Sequence, residues 1–316
     1  MVKRNLSQAV EFYLKTRRSF GFALLQPAIE LGSLVRYAKL IGHTGPLTAA
    51  LACQWAQQPQ QCAPGYRARR LQIVRRFAQF WLTYEPRTEL PPGDGSGPGY
   101  GRRAVHIYSP EQLGALLKAS AQLGRVHPLR GASFCAVVGL LACTGLRIGE
   151  ALALSDQDID WSAGVLTIRF GKNGHSRLVP VQPSTLEALA QYRAARQKAI
   201  GSGAAPRFFV SFRGEPLGYH GVSSAFRKLR CSLGWTRPPI PRLHDLRHTF
   251  AVRTLLSWYR SGEPIGPKLW TLSTYLGHRH LADTYWYLTA VPDLMQLCQE
   301  RFALAQAWAS GGRSHE

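Results

Sequence analysis

The segment Thr144-Gly-Leu-Arg-Ile-Gly-Glu-Ala-Leu-Ala-Leu154 is the most informative part of this sequence. It directly follows an apolar segment, at about residues 131 to 143, that predicts a buried helix. Arg147 is therefore expected at a turn where that helix has ended. One interpretation of such an arginine is an ion pair with Glu150, three residues further along the chain. The other is that its guanidinium is held beside the core to bind an anion.

The residues around this segment predict helices with one small sheet. Ser109-Pro110-Glu111 combines a capping serine with a proline at the first helical position, which is typical of a helix start. Residues 165 to 170 and 177 to 181 are two short strands separated by the turn Gly171-Lys-Asn-Gly174, a pattern that indicates an antiparallel hairpin. From Ser184 onward the chain is mostly helical. The predicted class is mainly α with a small antiparallel β-sheet (α+β).

Residues 5 to 85 predict a separate helical unit. Apolar residues recur at helical spacing between residues 9 and 14 and again between 31 and 41, and a third helix is expected after Thr48. A fourth helix, at about 64 to 84, combines an apolar stripe with five arginines: Arg67, Arg69, Arg70, Arg75 and Arg76. Such a helix can pack on its neighbours and bind phosphates with its basic side. A solvated basic face is the alternative interpretation.

A change of composition separates the two halves of the chain. Residues 91 to 99, Pro-Pro-Gly-Asp-Gly-Ser-Gly-Pro-Gly, can form neither a helix nor a central strand, and they are typical of a linker. They do not form a nucleotide-binding loop, because the G-x-G-x-x-G pattern fails at Pro98 and no GK[ST] is present. The sequence predicts a helical domain at 1–86, a Gly/Pro-rich linker at 87–107 and a second domain at 108–316.

The charge of the chain points to a polyanionic partner. The 316 residues include 39 Lys and Arg against 18 Asp and Glu, which gives a net charge of +21. A surplus of this size repels itself unless a polyanion binds, and nucleic acid is the usual polyanion. An acidic membrane surface is the alternative. The six cysteines contain no CxxC pair, so the sequence predicts neither a disulfide framework nor a cysteine-based zinc site.

The sequence gives no sign of a membrane segment. Its longest apolar run, residues 132 to 146, is shorter than the ~20 residues that a membrane helix requires. Residues 1 to 5 do not resemble the start of a signal peptide. We therefore expect a cytoplasmic protein.

Three further motifs can carry chemistry. Lys172 lies at the tip of the predicted hairpin, and His244-Asp-Leu-Arg-His248 places a histidine and an arginine one helical turn apart. Leu276-Gly-His278 is followed nine residues later by Tyr287. Taken singly, each motif has an ordinary structural interpretation: a solvated turn lysine, a satisfied core histidine, or one of 12 tyrosines.

Together, the motifs meet the needs of phosphodiester cleavage without a metal. That reaction requires a nucleophile, positive charge on two non-bridging phosphate oxygens and an acid for the leaving oxygen. Arginine suits the second role, because its planar fork makes two parallel bonds to phosphate and keeps its proton. A lysine whose pKa falls near cationic neighbours suits the third role. A tyrosine is a competent nucleophile once a base and nearby cations favour its phenolate.

On these motifs the sequence resembles the tyrosine recombinases of the phage-integrase family, over about residues 108 to 297. TGLRIGEALAL, GKNGHSRLVPV, HDLRHTFA and LGH with a downstream tyrosine occur in the family's order and approximate spacing. The resemblance implies that Arg147 and Arg247 clamp the phosphate and that Lys172 is the acid. It implies that His244 assists proton transfer and that His278 hydrogen-bonds the phosphate. Tyr287 would form a 3′-phosphotyrosine and release a 5′-OH.

The resemblance also implies partners. They are double-stranded DNA with inverted-repeat recombination sites, three further copies of the chain in a homo-tetramer on synapsed DNA, and accessory recombinases of the same mobile element. The helical domain would be a core-binding domain that clamps the duplex together with the catalytic domain. No cofactor or metal is implied, and Glu150 and Asp245 would support the site rather than react. The expected activity is site-specific recombination, by integration, excision or transposition, in a protein associated with the bacterial nucleoid when DNA is bound.

Two places in the second half need a choice. Tyr285 lies two residues before Tyr287, and both the spacing from His278 and the preceding Thr284 favour Tyr287 as the nucleophile. Residues 261 to 267 look like an inserted loop. Beyond the tyrosine, an apolar stripe at helical spacing is expected either to pack on its own domain or to dock on a neighbouring protomer: Leu294, Cys298, Phe302, Ala305 and Trp308.

Three other functions compete with recombination. A metallopeptidase would use His244 and His248, which have the spacing of H-E-x-x-H, but Asp245 replaces the glutamate and no third ligand is evident. A DNA-binding protein without chemistry is disfavoured because all six expected catalytic positions are filled. A type IB topoisomerase shares the catalytic logic and would relax DNA without a target site.

Overall fold

The computed structural model describes residues 5–58, 64–93, 104–125, 127–169, 176–201, 207–278, 280–289 and residue 296. The chain divides into two compact units, Met1–Arg103 and Ala104–Glu316. Among the helices of the described residues, none is both long enough and apolar enough to span a bilayer.

In its described part, the first unit consists of helices, as the sequence predicts. They are α1 (Leu6–Ser19), α2 (Leu25–Leu40), α3 (Ala49–Gln57) and α4 (Pro64–Trp81). The side chain of Asn5 accepts a hydrogen bond from the backbone of Gln8 at the start of α1, and Thr48 caps α3 in the same way. The predicted helix start after Thr48 is confirmed.

Aromatic and aliphatic side chains fill the core of the first unit. Leu31 and Leu34 of α2 pack with Trp55 of α3 and Phe77 of α4, and all four are almost fully buried. The Phe77 ring lies edge-on to Tyr13 of α1, with 5.4 Å between ring centroids. The apolar stripes that the sequence shows therefore hold these four helices together.

The second unit combines helices with a three-stranded antiparallel sheet. The helices are α5 (Pro110–Gln122), α6 (Pro128–Thr144), α7 (Ile148–Ala153), α8 (Pro183–Ile200), α9 (Tyr219–Ser232), α10 (Leu243–Arg260), α11 (Ile265–Leu276) and α12 (Ala282–Thr289). The strands, in sheet order, are β1 (Ile159–Asp160), β2 (Val165–Ile168) and β3 (Arg177–Pro180). The predicted fold class, mainly α with a small antiparallel sheet, is confirmed.

Helix α6 is the centre of the second unit. It packs against α5, α8 and α10, and most of its residues are buried, including Val137, Val138 and Leu141. It ends at Gly145, whose φ of +61° is a left-handed conformation that favours glycine. A Cβ atom at this position would lie only 2.7 Å from a ring carbon of Phe250. This tight turn places Arg147 beside the core, at the N-cap of α7.

The sheet and one loop differ in detail from the sequence-based expectation. The predicted hairpin is present, with Ile168 paired to Arg177, but β1 was not predicted because two residues are too few for a strand pattern. The expected inserted loop at 261–267 is wrong in extent, since Ser261–Pro264 alone connect α10 to α11 and Ile265 starts the next helix. The predicted apolar stripe at 294–308 lies outside the described residues.

Candidate active site

Arg147 is fixed by two groups from different parts of the fold. Its Nη1 donates to Glu150 Oε1 at 2.9 Å, and its Nη2 donates to the carbonyl oxygen of Gly277 at 3.0 Å. The backbone N–H of Arg147 donates to Glu150 Oε2 at 3.0 Å, which caps the start of α7. The Arg147 side chain remains 25% exposed. The predicted ion pair is therefore present, and it leaves part of the guanidinium accessible to an anion.

Arg247 lies on α10 and is 2% exposed. Its Nη1 donates to the carbonyl oxygen of Gly145 at 2.8 Å, and its Nη2 donates to that of Leu276 at 2.7 Å. Burial and the neighbouring Arg147 charge lower the pKa of Arg247 to about 10. Among the residues that the structure describes, no carboxylate lies within ion-pair distance of Arg247. A buried positive charge is thus held by carbonyl dipoles.

The end of α11 holds both arginines side by side. Consecutive carbonyl groups, those of Leu276 and Gly277, accept from Arg247 and Arg147 respectively. A helix C-terminus carries partial negative charge and free carbonyls, which suits cations. Gly277 has a φ of +68°, a left-handed conformation that turns the chain toward His278. The LGH motif therefore brings together the arginines of two other motifs.

His278 and Tyr287 continue this cluster. His278 Nδ1 lies 2.8 Å from Thr284 Oγ1, and the imidazole ring stacks on the Tyr287 ring with 5.9 Å between centroids. Burial, followed by the charges of Arg247 and Arg147, lowers the pKa of His278 to about 4. The imidazole is therefore neutral at neutral pH in this structure.

Tyr287 is in direct contact with Arg247. The tyrosine is 3% exposed, and its hydroxyl accepts a hydrogen bond from the Arg247 guanidinium. Burial raises the pKa of Tyr287, whereas Arg247 and Arg147 act in the opposite direction. Tyr285, the other candidate, is 48% exposed. The two tyrosines thus differ clearly in environment, and Tyr287 is the one beside the arginines.

Two histidines of α10 lie on the same side of the cluster. The rings of His244 and His248 are perpendicular, with centroids 4.7 Å apart, and the His248 ring lies 5.5 Å from that of Tyr287. Although His244 keeps solvent exposure, the surrounding protein and the Arg247 charge lower its pKa to about 4. Asp245 is fully buried and accepts from the backbone and side chain of Arg242, which fixes the start of α10.

One expected residue is not placed, and two residues lie at the site that the sequence analysis did not assign to DNA cleavage. Lys172 lies outside the described residues. His248 contacts the Tyr287 ring, and Arg177 of β3 donates twice to Glu150. The spacing of the HDLRH motif places His248 on the same helix face as His244, but no local pattern connects Arg177 to Glu150. In the described part of the chain, no group of three His, Cys, Asp or Glu side chains could hold a metal ion.

The arginines of α4 have different environments. Arg70 is 4% exposed, pairs with Glu30 at 3.2 Å and donates to the carbonyl oxygen of Trp55 at 3.0 Å. The charge of Arg70 is thus used inside the helical unit, and a contact of this arginine with DNA stays a prediction. Arg69 and Arg76 are exposed and lie seven residues apart, on one face of the helix. The other two are partly buried, and Arg75 donates to the Pro91 carbonyl.

The chain is similar to known proteins over most of its length. The sequence model of the phage integrase family matches residues 108–292. The protein named integrase/recombinase y4rB from Sinorhizobium fredii is 39% identical over 311 residues, which are 95% of this chain and 97% of that protein. The tyrosine recombinase XerC of Brucella suis is 36% identical over 173 residues, 54% of this chain and 50% of XerC.

Solved structures share the fold. The Tn1549 transposon integrase in complex with transposon right end DNA superposes with a TM-score of 0.63 at 18% identity, covering 93% of this chain and 99% of that one. The XerH site-specific recombinase bound to palindromic difH substrate gives 0.64 at 17% identity, covering 96% and 84%.

The family model spans more than half of the chain, and a relative of nearly equal length is 39% identical. This chain therefore belongs to the phage integrase family and is a tyrosine-type DNA recombinase, an enzyme that breaks and rejoins DNA strands.

Proposed function

We propose that this chain catalyses site-specific recombination of a mobile element, by integration, excision or transposition, through a 3′-phosphotyrosine at Tyr287. The observation that carries the proposal is the meeting of two guanidiniums at consecutive carbonyls of one helix end, with Tyr287 hydrogen-bonded to one of them. Two fixed cations beside one nucleophile suit the two non-bridging oxygens of a phosphodiester.

In the proposed cleavage step, the scissile phosphate takes the place of the Tyr287 hydroxyl at Arg247. Arg147 and Arg247 bind its non-bridging oxygens, and the Tyr287 oxygen attacks the phosphorus atom. The bond from phosphorus to the 5′ oxygen breaks, and Lys172 gives that oxygen a proton. His244 assists removal of the phenolic proton. Rejoining is the same sequence in reverse, with a 5′-OH as the attacking group.

His278 is suited to bind the phosphate without adding another charge. Its lowered pKa keeps the ring neutral at neutral pH, and the contact with Thr284 Oγ1 fixes the orientation of the ring through Nδ1. We assign the other ring nitrogen a hydrogen bond to a phosphate oxygen. Glu150 and Asp245 act by holding arginines, Arg147 and Arg242 respectively. No metal or nucleotide cofactor takes part in this scheme.

We also propose the domain roles and partners. Residues 1–86 form a core-binding domain, 87–107 a linker and 108–316 the catalytic domain, and both domains contact a duplex. The net charge of +21 supports binding to DNA. The structurally similar Tn1549 integrase is in complex with transposon right end DNA, and XerH is bound to a palindromic difH substrate. For this chain we infer a site with inverted repeats, a homo-tetramer on synapsed DNA and accessory recombinases of the same element.

The experiment that tests this function is covalent capture. A duplex selected by the wild-type protein from a randomised pool is nicked next to the bound site, so that cleavage releases a short fragment and traps the adduct. We expect a protein–DNA adduct on denaturing gels in buffer containing EDTA. Tyr287→Phe should bind the duplex with unchanged affinity and form no adduct, because only the attacking oxygen is lost.

Tyr285→Phe is the matched control, since it removes the same atom from an exposed ring two residues away. It should form the adduct at the wild-type rate. An adduct with the Tyr287 variant but not with the Tyr285 variant would show that Tyr285, and not Tyr287, is the nucleophile. Specific binding without any adduct would favour a DNA-binding protein without chemistry, and relaxation of a plasmid that lacks the selected site would favour a topoisomerase.

A further inference from the structure

Arg177, the first residue of β3, joins three segments of the candidate active site. Its Nη1 and Nη2 donate to Oε1 and Oε2 of Glu150, at 3.1 and 2.8 Å. Its Nε donates to the carbonyl oxygen of Tyr275, near the end of α11, at 2.8 Å. The side chains of Arg177 and Glu150 are only 11% and 7% exposed. One guanidinium thus connects the start of β3 with α7 and α11.

Glu150 is shared between Arg177 and Arg147. Its Oε1 accepts from both side chains, and its Oε2 accepts from Arg177 and from the backbone N–H of Arg147. Although burial opposes ionisation of Glu150, the hydrogen bonds and charge of Arg177, together with the hydrogen bonds of Arg147, lower its pKa to about 2. The carboxylate is therefore ionised at neutral pH. A two-pronged contact with Arg177 prevents it from rotating away from Arg147.

Gly277 shows how closely Arg177 packs against the second group that holds Arg147. A Cβ atom at Gly277 would lie 2.7 Å from Arg177 Nη1, so the guanidinium lies directly against this turn. The carbonyl oxygen of Gly277 accepts from Arg147 Nη2. The two acceptors of the Arg147 side chain, Glu150 and Gly277, are therefore both in contact with Arg177.

We infer that Arg177 is a positioning residue, which fixes Glu150 and the Gly277 turn and, through them, the guanidinium of Arg147. The inference rests on the proposed function, in which Arg147 binds the scissile phosphate. Rates depend steeply on such placement, because a fork that is misdirected by a fraction of an ångström loses its transition-state contacts. A purely structural arginine would instead stabilise the fold and leave the rate of the folded protein unchanged.

The first test compares two buried arginines of the second unit. Arg177→Lys keeps the positive charge but loses the fork, and we expect adduct formation to slow by about 10- to 100-fold. Arg196 is the matched control. It is 7% exposed, pairs with Asp156 at 2.7 Å and donates to the Phe208 carbonyl at 2.8 Å. Arg196→Lys should form the adduct at the wild-type rate, and both variants should bind the selected duplex normally.

The decisive measurement is a double-mutant cycle with Arg147→Lys. If Arg177 acts through Arg147, adding Arg177→Lys to Arg147→Lys should slow adduct formation by less than about threefold, because the group being positioned has already been lost. If Arg177 acts only through stability, its slowing should persist in full in the double variant. An additive result therefore overturns the inference, as does a wild-type rate for Arg177→Lys.

A second variant covers the case in which Arg177→Lys does not fold. Glu150→Gln removes the charge that links the two arginines while nearly keeping the side-chain shape, and it should show the same slowing and the same loss of additivity with Arg147→Lys. The outcomes for the two proposals are distinct. A wild-type protein that forms no adduct overturns the proposed function and this inference with it. Wild-type adduct with additive variants overturns this inference alone.

Discussion

Arg70 in the helical unit and Arg247 in the catalytic unit are buried to nearly the same extent, 4% and 2% exposed, yet their charges are balanced in different ways. Arg70 pairs with Glu30 and lies over the indole ring of Trp55, with 3.7 Å from its guanidinium carbon to the ring centroid. Arg247 donates to backbone carbonyls and to the hydroxyl of Tyr287. The first arginine has a buried counter-charge and the second has carbonyl dipoles and a phenol.

This difference separates structural from functional arginines. A buried charge costs several kcal/mol of desolvation, which a paired carboxylate and hydrogen bonds can offset. Arg70 has that compensation, so its contribution is complete within the folded unit. The charge of Arg247 is only partly compensated, and burial accordingly lowers its pKa to about 10. Within the described part of the chain, Arg247 is a buried cation without a carboxylate at ion-pair distance, which suits it to an anion supplied from outside. In our proposal that anion is the scissile phosphate.

The largest difference in reaction rate is expected between two single variants, Arg247→Lys and Arg70→Lys. Arg247→Lys should slow adduct formation by about 100- to 1000-fold, because lysine cannot reproduce the two parallel bonds to phosphate. Each variant should also lower the unfolding free energy of its own unit by about 1–3 kcal/mol, because each loses buried hydrogen bonds. The rate should separate the two variants. For Arg70→Lys, adduct formation at saturating DNA and low temperature should be normal.

The two readouts are measured separately. Rates come from the nicked duplex, and stability comes from urea unfolding of the whole chain followed by far-UV circular dichroism, because the chain has eight tryptophans and the fluorescence of Trp55 cannot be followed separately. If both variants lose the same amount of activity, the distinction drawn between the two arginines is wrong.

A smaller effect, about 100-fold, is expected from Lys172→Ala. Arginines stabilise charge but do not give up a proton, so the proposed site needs a separate acid for the 5′ oxygen. A substrate with sulfur at the 5′-bridging position has a leaving group that needs no proton, and it should restore the rate of Lys172→Ala. The same substrate should not restore the rate of Arg247→Lys, because that variant lacks a phosphate contact and not the acid. An equal defect of Lys172→Ala on both substrates would remove the lysine from the acid role.

Local patterns predicted most of the fold and the residue types of the site. The capping serine at 109, the helix start after Thr48 and the paired strands around the hairpin turn all have short-range signatures, and the structure confirms them. Four expected residues of the site, Arg147, Arg247, His278 and Tyr287, form one connected cluster. Their order along the chain was visible, but their mutual contacts were not.

The remaining details depend on contacts that are distant in sequence. Arg177 meets Glu150 across 27 residues, and Arg70 meets Glu30 across 40. Helical spacing shows which residues share a face, but it does not show which arginine on a basic helix finds a buried carboxylate. Arg70 therefore looked equivalent to its neighbours in the sequence. Short elements such as β1 leave too few residues for any periodic pattern.

The smallest effect concerns the exposed arginines of α4, which have neither a buried counter-charge nor a reacting group. Arg69 and Arg76 share the exposed face of the helix with Gln72 and Gln79, and we propose that this face meets the phosphate backbone. Each lost phosphate contact should reduce the slope of log affinity against log salt by about 0.9, so Arg69→Ala with Arg76→Ala should reduce it by roughly 1.8. Affinity near 0.1 M salt should fall on the order of 50-fold for every duplex sequence alike.

Arg87→Ala is the control, because Arg87 is exposed in the same unit but pairs with Glu85 at 2.9 Å. Filter binding across a salt series measures all three proteins. An unchanged slope in the double variant would show that this face of α4 points away from DNA, and an equal change in Arg87→Ala would show that net charge, rather than the position of the arginines, sets the affinity.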